Sequence, residues 1–240
     1  VRFLRANCSW DAAQTPASLT PYLLEEANEV VEAIGDGDEA ALASELGDLL
    51  LNVAFQIVLA EERGAFDAEG VVAGLEAKMR RRHPHLYGEG EREAWEAIKA
   101  RERGERASVL EGVPRGLDAL SRAHRIQERV SAVGFDWADA RGAFEKVAEE
   151  VEEVRIALEA EPSPALEEEL GDLLFAVVNL TRLAGAHALN ALQSANRKFT
   201  GRFEMLERLA KERGVVLGEA SLEELDRLWD EVKAREREGR

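Results

Sequence analysis

Glu150 with Glu153, and Glu169 with Asp172, form two carboxylate pairs, each spaced three residues apart. On a helix that spacing puts both acids of a pair on one face. Between the pairs stands Glu161-Pro162-Ser163-Pro164. This breaker ends one helix and starts the next, with Ser163 as cap and Pro164 in the first position. The expected unit is an antiparallel hairpin offering both pairs to one space. Four carboxylates in one cleft raise each other's pKa, and they become useful around a hard divalent cation. Mg²⁺ takes oxygen ligands, keeps some water and shares its shell with substrate phosphates. Two such ions can polarise a phosphoryl oxygen, activate water and neutralise a leaving pyrophosphate. Lys146, Lys198, Arg202 and Lys233 could supply charge to the outer phosphates. Trp229 could stack on a base or cover the site. With no serine, cysteine or histidine nucleophile beside the acids, the chemistry indicated is hydrolysis of a phosphate ester or anhydride.

The same arrangement occurs earlier in the chain. Leu23 to Asn52, shifted by 124 positions, matches Val147 to Ala176 at 13 of 30 positions without a gap. Glu26, Glu29, Glu45 and Asp48 fall on the later quartet, and Leu-Gly-Asp-Leu-Leu follows in both copies. One ExxE pair is common in acidic helices, whereas a quartet repeated at fixed spacing marks a duplication. Lys78 and Arg82 correspond to Lys198 and Arg202 at an offset of 120. Trp95 and Lys99 correspond to Trp229 and Lys233 at an offset of 134, so the loops between differ in length.

The helices that must hold these residues are legible as periodic stretches. Residues 1–19 read as irregular. A helix is expected from Thr20-Pro21, with Thr20 as cap, ending at Gly35 and Gly37. A longer one runs from about Asp38 to Arg63, apolar nearly all round and therefore expected to be the buried helix of its bundle. Further helices are expected over Asp67–Arg82 and around Trp95 and Lys99. The interruptions Gly104, Gly112 and Pro114 mark a linker over residues 104–115, separating repeats over 1–103 and 116–240. The second repeat is expected to hold helices over Leu117–Val133, 139–160, 164–185 and 187–213. A last one opens on the capping box Ser221-Leu222-Glu223-Glu224. No stretch alternates as a strand, so the fold class is all-α, with tandem helical-bundle repeats.

Composition bounds the function. The 240 residues carry a formal charge of −17, which argues against binding a nucleic acid polymer through a basic surface. A polyanionic small molecule needs local bases or a divalent cation. Hydrophobic residues make up 45% of the chain, enough for a core. The apolar run Leu49 to Ala60 is short for a bilayer and contains Asn52 and Gln56, so no membrane association is expected. Cys8 is the only cysteine, excluding an intrachain disulfide and fitting a reducing, cytoplasmic compartment.

Each residue also has a plainer reading. Single carboxylate pairs are usually solvated faces. Lys198 and Arg202 suit surface charges or partners of nearby glutamates. Trp229 suits a packing anchor, and Asn179 a core amide as well as a base reader. His83 and His85 flank Pro84 at a helix end, which fits a turn; His124 and His187 carry no constellation.

The pattern Glu149-Glu150-x-x-Glu153 followed by Glu169-x-x-Asp172 resembles the MazG nucleoside triphosphate pyrophosphohydrolases. The resemblance extends to Cys8-Ser9-Trp10-Asp11, Arg82-His83-Pro84-His85, Val133-Gly134-Phe135-Asp136-Trp137 and the helix of Trp229. It implies an all-α fold, an Mg²⁺ requirement, a homodimer and the reaction NTP + H2O → NMP + pyrophosphate. By the same resemblance, Glu150, Glu153, Glu169 and Asp172 would ligate Mg²⁺. Lys146, Lys198, Arg202, Trp229 and Lys233 would contact the nucleotide. The C-terminal repeat would be the main catalytic unit. A second site is expected on Glu26, Glu29, Glu45, Asp48, Lys78, Arg82, Trp95 and Lys99, but Tyr22 replaces the residue matching Lys146, and Ala165 stands where some relatives have a lysine. Alternatives are a one-nucleotide enzyme, dUTPase-like or phosphoribosyl-ATP pyrophosphohydrolase-like, or a metal-binding helical bundle without turnover. A di-iron bundle needs Glu-x-x-His pairs on the facing helices, and neither quartet helix has one.

Overall fold

The computed structural model describes residues 1–87, 108–159 and 164–238, and all regular structure among them is helical. They fall into two compact units, one before residue 88 and one after residue 107.

The first unit is built on a hairpin of α3 (Thr20–Asp36) and α4 (Glu39–Glu62). The turn is short because Gly37 takes the left-handed conformation (φ 71°) that ends α3. Asp38 then caps α4, accepting from the backbone N–H groups of Ala40 and Ala41 at 3.0 Å. Thr20 lies inside α3 rather than capping it; Leu19 holds the cap position, and the Thr20 hydroxyl donates to the Pro16 carbonyl at 3.2 Å. Leu19 is instead a core residue, packed with Phe55 and Leu59. Residues 1–19 are not irregular as expected. They form α1 (Arg2–Asn7) and α2 (Ser9–Ala13), separated by extended Cys8. α1 is tied to the end of α4, where Arg2 pairs with Glu61 at 2.7 Å and Arg5 with Glu62 at 2.6 Å, and Arg5 also reaches α2, donating to the Asp11 carbonyl at 2.7 Å. The unit continues into α5 (Ala68–Arg82), capped by Asp67, and the single turn α6 (Pro84–Tyr87).

α4 is not the buried helix that its composition suggests. Phe55, Val58, Leu59 and Ala60 are buried in its second half, but Leu46, Leu50, Leu51 and Val53 are exposed, Leu50 to 67%. α3 packs along one side of it, and among the described residues these leucines and Val53 stay open. By length and hydropathy alone α4 could cross a bilayer. Glu45 and Asp48 on it, however, share a site with acids of α3, an arrangement that hydrocarbon penalises.

The second unit starts with turns over 108–118 and α7 (Ala119–Ser131), capped by Asp118, which accepts from the Ser121 N–H at 2.9 Å. That cap holds the Asp118 carboxyl below its ordinary pKa, against the effect of its burial. Gly134 (φ 86°) turns the chain into Phe135-Asp136-Trp137. α8 (Ala140–Glu159) and α9 (Pro164–Leu183) form the second hairpin. Ser163, the expected cap, lies outside the described residues, as do Trp95, Lys99 and the start of the linker. α7 packs on α9. α10 (Ala188–Glu212) runs from that bundle to its partner α11 (Leu222–Glu238), where Leu206, Leu209, Ala210, Leu228 and Val232 make a separate core. The Ser221 hydroxyl caps α11, accepting from the Glu224 N–H at 3.3 Å.

Candidate functional site

α8 and α9 bring three acids of the second quartet together across the helical hairpin. Single carboxylate oxygens of Glu150, Glu169 and Asp172 lie within 4.8 Å of one another. Glu150 is 4% exposed, Glu169 half-buried and Asp172 exposed, so the group grades from the helix interface to its mouth. Glu153, one turn on from Glu150, is raised in pKa chiefly by its hydrogen bond with Glu150, then by desolvation and the charge of Glu150.

Lys146 joins the group from one turn before Glu150. Its Nζ lies 2.6 Å from Glu150 Oε1 and 2.7 Å from Glu149 Oε1. Those hydrogen bonds, first to Glu149 and then to Glu150, push the lysine pKa well above its ordinary value. The other carboxylate oxygen of Glu150, Oε2, is buried without a hydrogen-bond partner. A buried carboxylate oxygen left in this state is costly. A cation among Glu150, Glu169 and Asp172 would satisfy it, and an all-oxygen donor set suits Mg²⁺. The residues present therefore fit the metal. Above them opens a cavity of about 390 Å³, lined by Lys146, Glu150 and Asp172 on one side and Phe135, Trp137 and Asn179 on another.

The first unit repeats the arrangement with changes. Glu26, Glu29 and Glu45 offer oxygens within 4.8 Å of one another. Glu26 is raised in pKa by desolvation first and then by Glu29 and Asp48. Glu45 is raised by desolvation and then by Glu29 and Asp48. At the position of Lys146 stands Tyr22, edge-on to Trp10 with ring centroids 6.2 Å apart. The acids thus gather without the lysine that neutralises Glu150. Lys78 and Arg82 lie on α5, both half-buried.

The other expected nucleotide contacts are placed elsewhere in the second unit. Arg202 donates to Glu236 Oε2 at 2.8 and 2.9 Å. Lys233 pairs with Asp230 at 2.6 Å. Trp229 packs on the α10–α11 core and stacks obliquely on Phe199 at 5.2 Å. Lys198 is exposed on α10. None of the four lines the quartet cavity. Of the basic and aromatic groups expected there, Lys146 alone reaches it, while Phe135 and Trp137 line it from the turn before α8.

The MazG nucleotide pyrophosphohydrolase domain matches this chain twice, over residues 14–87 and 142–206. The chain belongs to the MazG family. The two matches contain the two quartets, one each, and Lys78, Arg82, Lys198 and Arg202, but not Trp229 and Lys233. A nucleoside triphosphate pyrophosphohydrolase/pyrophosphatase MazG of Thermotoga maritima is 46% identical over 231 residues, covering 95% of this chain and 89% of that protein. A nucleoside triphosphate pyrophosphohydrolase of Escherichia coli K12 is 44% identical over 241 residues, covering 96% and 92%. The uncharacterized protein YabN of Bacillus subtilis is 41% identical over 248 residues, and this chain covers 51% of it.

Proposed function

We propose that the chain is an Mg²⁺-dependent homodimer of broad base specificity that converts NTP or dNTP and water to NMP or dNMP and pyrophosphate. As a MazG family enzyme it is a hydrolase of phosphoric anhydrides, and relatives that it matches nearly end to end are named nucleoside triphosphate pyrophosphohydrolases. The observation that carries the metal reading is the convergence of Glu150, Glu169 and Asp172 around a buried, unpartnered Glu150 oxygen.

In this reading Glu150, Glu153, Glu169 and Asp172 hold Mg²⁺, which supplies charge neutralisation for the phosphates and a more acidic water when bound. The buried side of the quartet fixes the acids, since Glu150 is clamped between helices and Lys146. Asp172, exposed at the mouth, meets the incoming triphosphate. Lys146 balances the charge of Glu150 and faces the same cavity as the substrate. Water adds to the α-phosphorus, the bond from that phosphorus to the bridging oxygen breaks, and pyrophosphate leaves. Lys198, Arg202, Trp229 and Lys233 are assigned to the nucleotide by family resemblance, and the dimer is the setting in which α10 and α11 meet it. The first quartet is a second site of the same chemistry, lacking the lysine. The setting is cytoplasmic.

The test is product analysis for each common NTP and dNTP, with Mg²⁺ and then with EDTA. NMP and pyrophosphate, lost with EDTA, is the expected result. NDP and phosphate, or no product, would overturn it.

A further inference from the structure

α9 and α10 meet at a sharp corner, bent by 100° across Ala184 to His187. Gly185 takes the left-handed conformation there (φ 80°). The N–H groups of Gly185 and Ala186 close the end of α9, donating to the Arg182 and Thr181 carbonyls at 3.0 Å. Beyond the corner α10 packs lightly on α7 and α9, and its far half belongs to the separate core with α11. The direction of the α10–α11 hairpin therefore rests on what holds the corner.

His187 holds it. This residue stands at the N-cap of α10, but its side chain makes no capping hydrogen bond. The matching residue of the first unit, at the offset of 120, is Asp67, which does cap α5 by accepting from the Gly70 N–H at 2.8 Å. The His187 ring stacks instead on His124 of α7, with centroids 4.1 Å apart and planes 29° apart.

The stack suits neutral rings. Nδ1 of each imidazole is buried without a partner. A neutral ring can carry its hydrogen on Nε2 and leave Nδ1 as a bare acceptor, whereas the cation carries a hydrogen on both nitrogens. A proton on either ring thus creates a buried donor with no acceptor, which is costly. The surrounding charges agree. His187 sits at the positive end of the α10 dipole. Facing His124 are Arg182 of α9, itself held by Asp136, and Arg125 of its own helix. Glu128 is the acid that opposes them, 3.6 Å from His124 Nε2 and paired at 2.5 Å with Arg125.

We propose that the His124–His187 stack is a pH-sensitive latch that fixes the take-off angle of α10. Neutral rings hold the corner. As pH falls below the ordinary histidine range, near 6.5, two cations face each other among arginines, the rings part, and the α10–α11 hairpin is freed to swing about Gly185. Lys198, Arg202, Trp229 and Lys233 ride on that hairpin, so the latch sets where they stand. This consequence rests on the reading that they contact the nucleotide; the latch itself does not.

The test places spin labels at Arg122→Cys on α7 and Arg208→Cys on α10, in a Cys8→Ser background. Both positions are exposed, and Arg208 lies twenty residues beyond Ala188, roughly 30 Å along the helix. A swing of about 10° at the corner moves that label by about 5 Å. One narrow distance distribution is expected at pH 7.5, and a broader, shifted one at pH 5.5. His124→Phe with His187→Phe keeps an aromatic pair that cannot titrate, and His124→Gln with His187→Gln is the smaller uncharged pair. Circular dichroism checks both folds, and both should give the same distribution at the two pH values. Superimposable distributions in the wild type would overturn the latch, as would uncharged pairs that shift like the wild type. For the consequence, KM for ATP should rise from pH 7.5 to pH 5.5 about threefold more in the wild type than in the Phe pair. Equal rises beside a shifted distance would overturn that consequence alone. A wild type without turnover of ATP would overturn the nucleotide reading, and the distances would still decide the latch.

Discussion

Lys146 Nζ sits 2.6 Å from one carboxylate oxygen of Glu150, while the other oxygen is buried with no partner. The pair is half-built: a cation of the chain balances the charge, and a place for a second cation remains. Lys146→Met removes the balance and leaves Glu150 buried at the hairpin interface. The variant should melt lower than the wild type in EDTA, and Mg²⁺ should raise its melting temperature more than it raises that of the wild type. Calorimetric melts with and without Mg²⁺ check this. Equal metal-free melting temperatures and equal gains would contradict it.

Leu50 and Leu174 occupy matching positions of the two repeats and are 67% and 60% exposed. Around them Leu46, Leu51 and Val53 on α4, and Leu170 and Val177 on α9, are exposed as well. Contiguous apolar faces of this kind mark interaction surfaces. The expected species in sedimentation is a dimer at twice the 26.5 kDa chain mass, converted to monomer by Leu50→Glu with Leu174→Glu. A wild type that sediments as a monomer at micromolar concentration would contradict the homodimer.

His124 and His187 stack with ring centroids 4.1 Å apart, and each has a buried Nδ1 without a partner. Burial first, then the charges of His187, Arg182 and Arg125, hold His124 below its ordinary pKa; Glu128, 3.6 Å from Nε2, opposes them. In the unfolded chain His124 titrates at about 6.5. The unfolded state therefore binds more protons near that pH, and stability rises with pH. Full stability is present above about pH 6.5 and is lost as pH falls below that value toward the folded pKa. Urea midpoints should drop between pH 7.5 and pH 5.5, and the drop should shrink in His124→Gln. A variant with the same pH dependence as the wild type would contradict this origin.

The hairpins were legible because local chemistry sets them. Gly37 and Asp38 make the first turn, and the i,i+3 acids keep their faces once α3–α4 and α8–α9 pair. Long-range dependence was not legible. α1 rests on Arg2 and Arg5 pairing with Glu61 and Glu62 nearly sixty residues away, which no local period records. The apolar run of α4 reads as burial, but apolarity does not say whether the cover comes from the same unit. The repeat aligns Lys198, Arg202, Trp229 and Lys233 in sequence without placing them in space; the first two lie on α10 and the last two on α11, none of them lining the quartet cavity.

The most direct measurement compares pyrophosphate release by Glu153→Gln and Glu29→Gln, with circular dichroism to check that both variants fold. Glu153→Gln should lower turnover at the second site by about 100-fold or more, as expected for a group in a metal site, and Glu29→Gln reports the share of the first unit. Full activity in both folded variants would remove the quartets from the reaction.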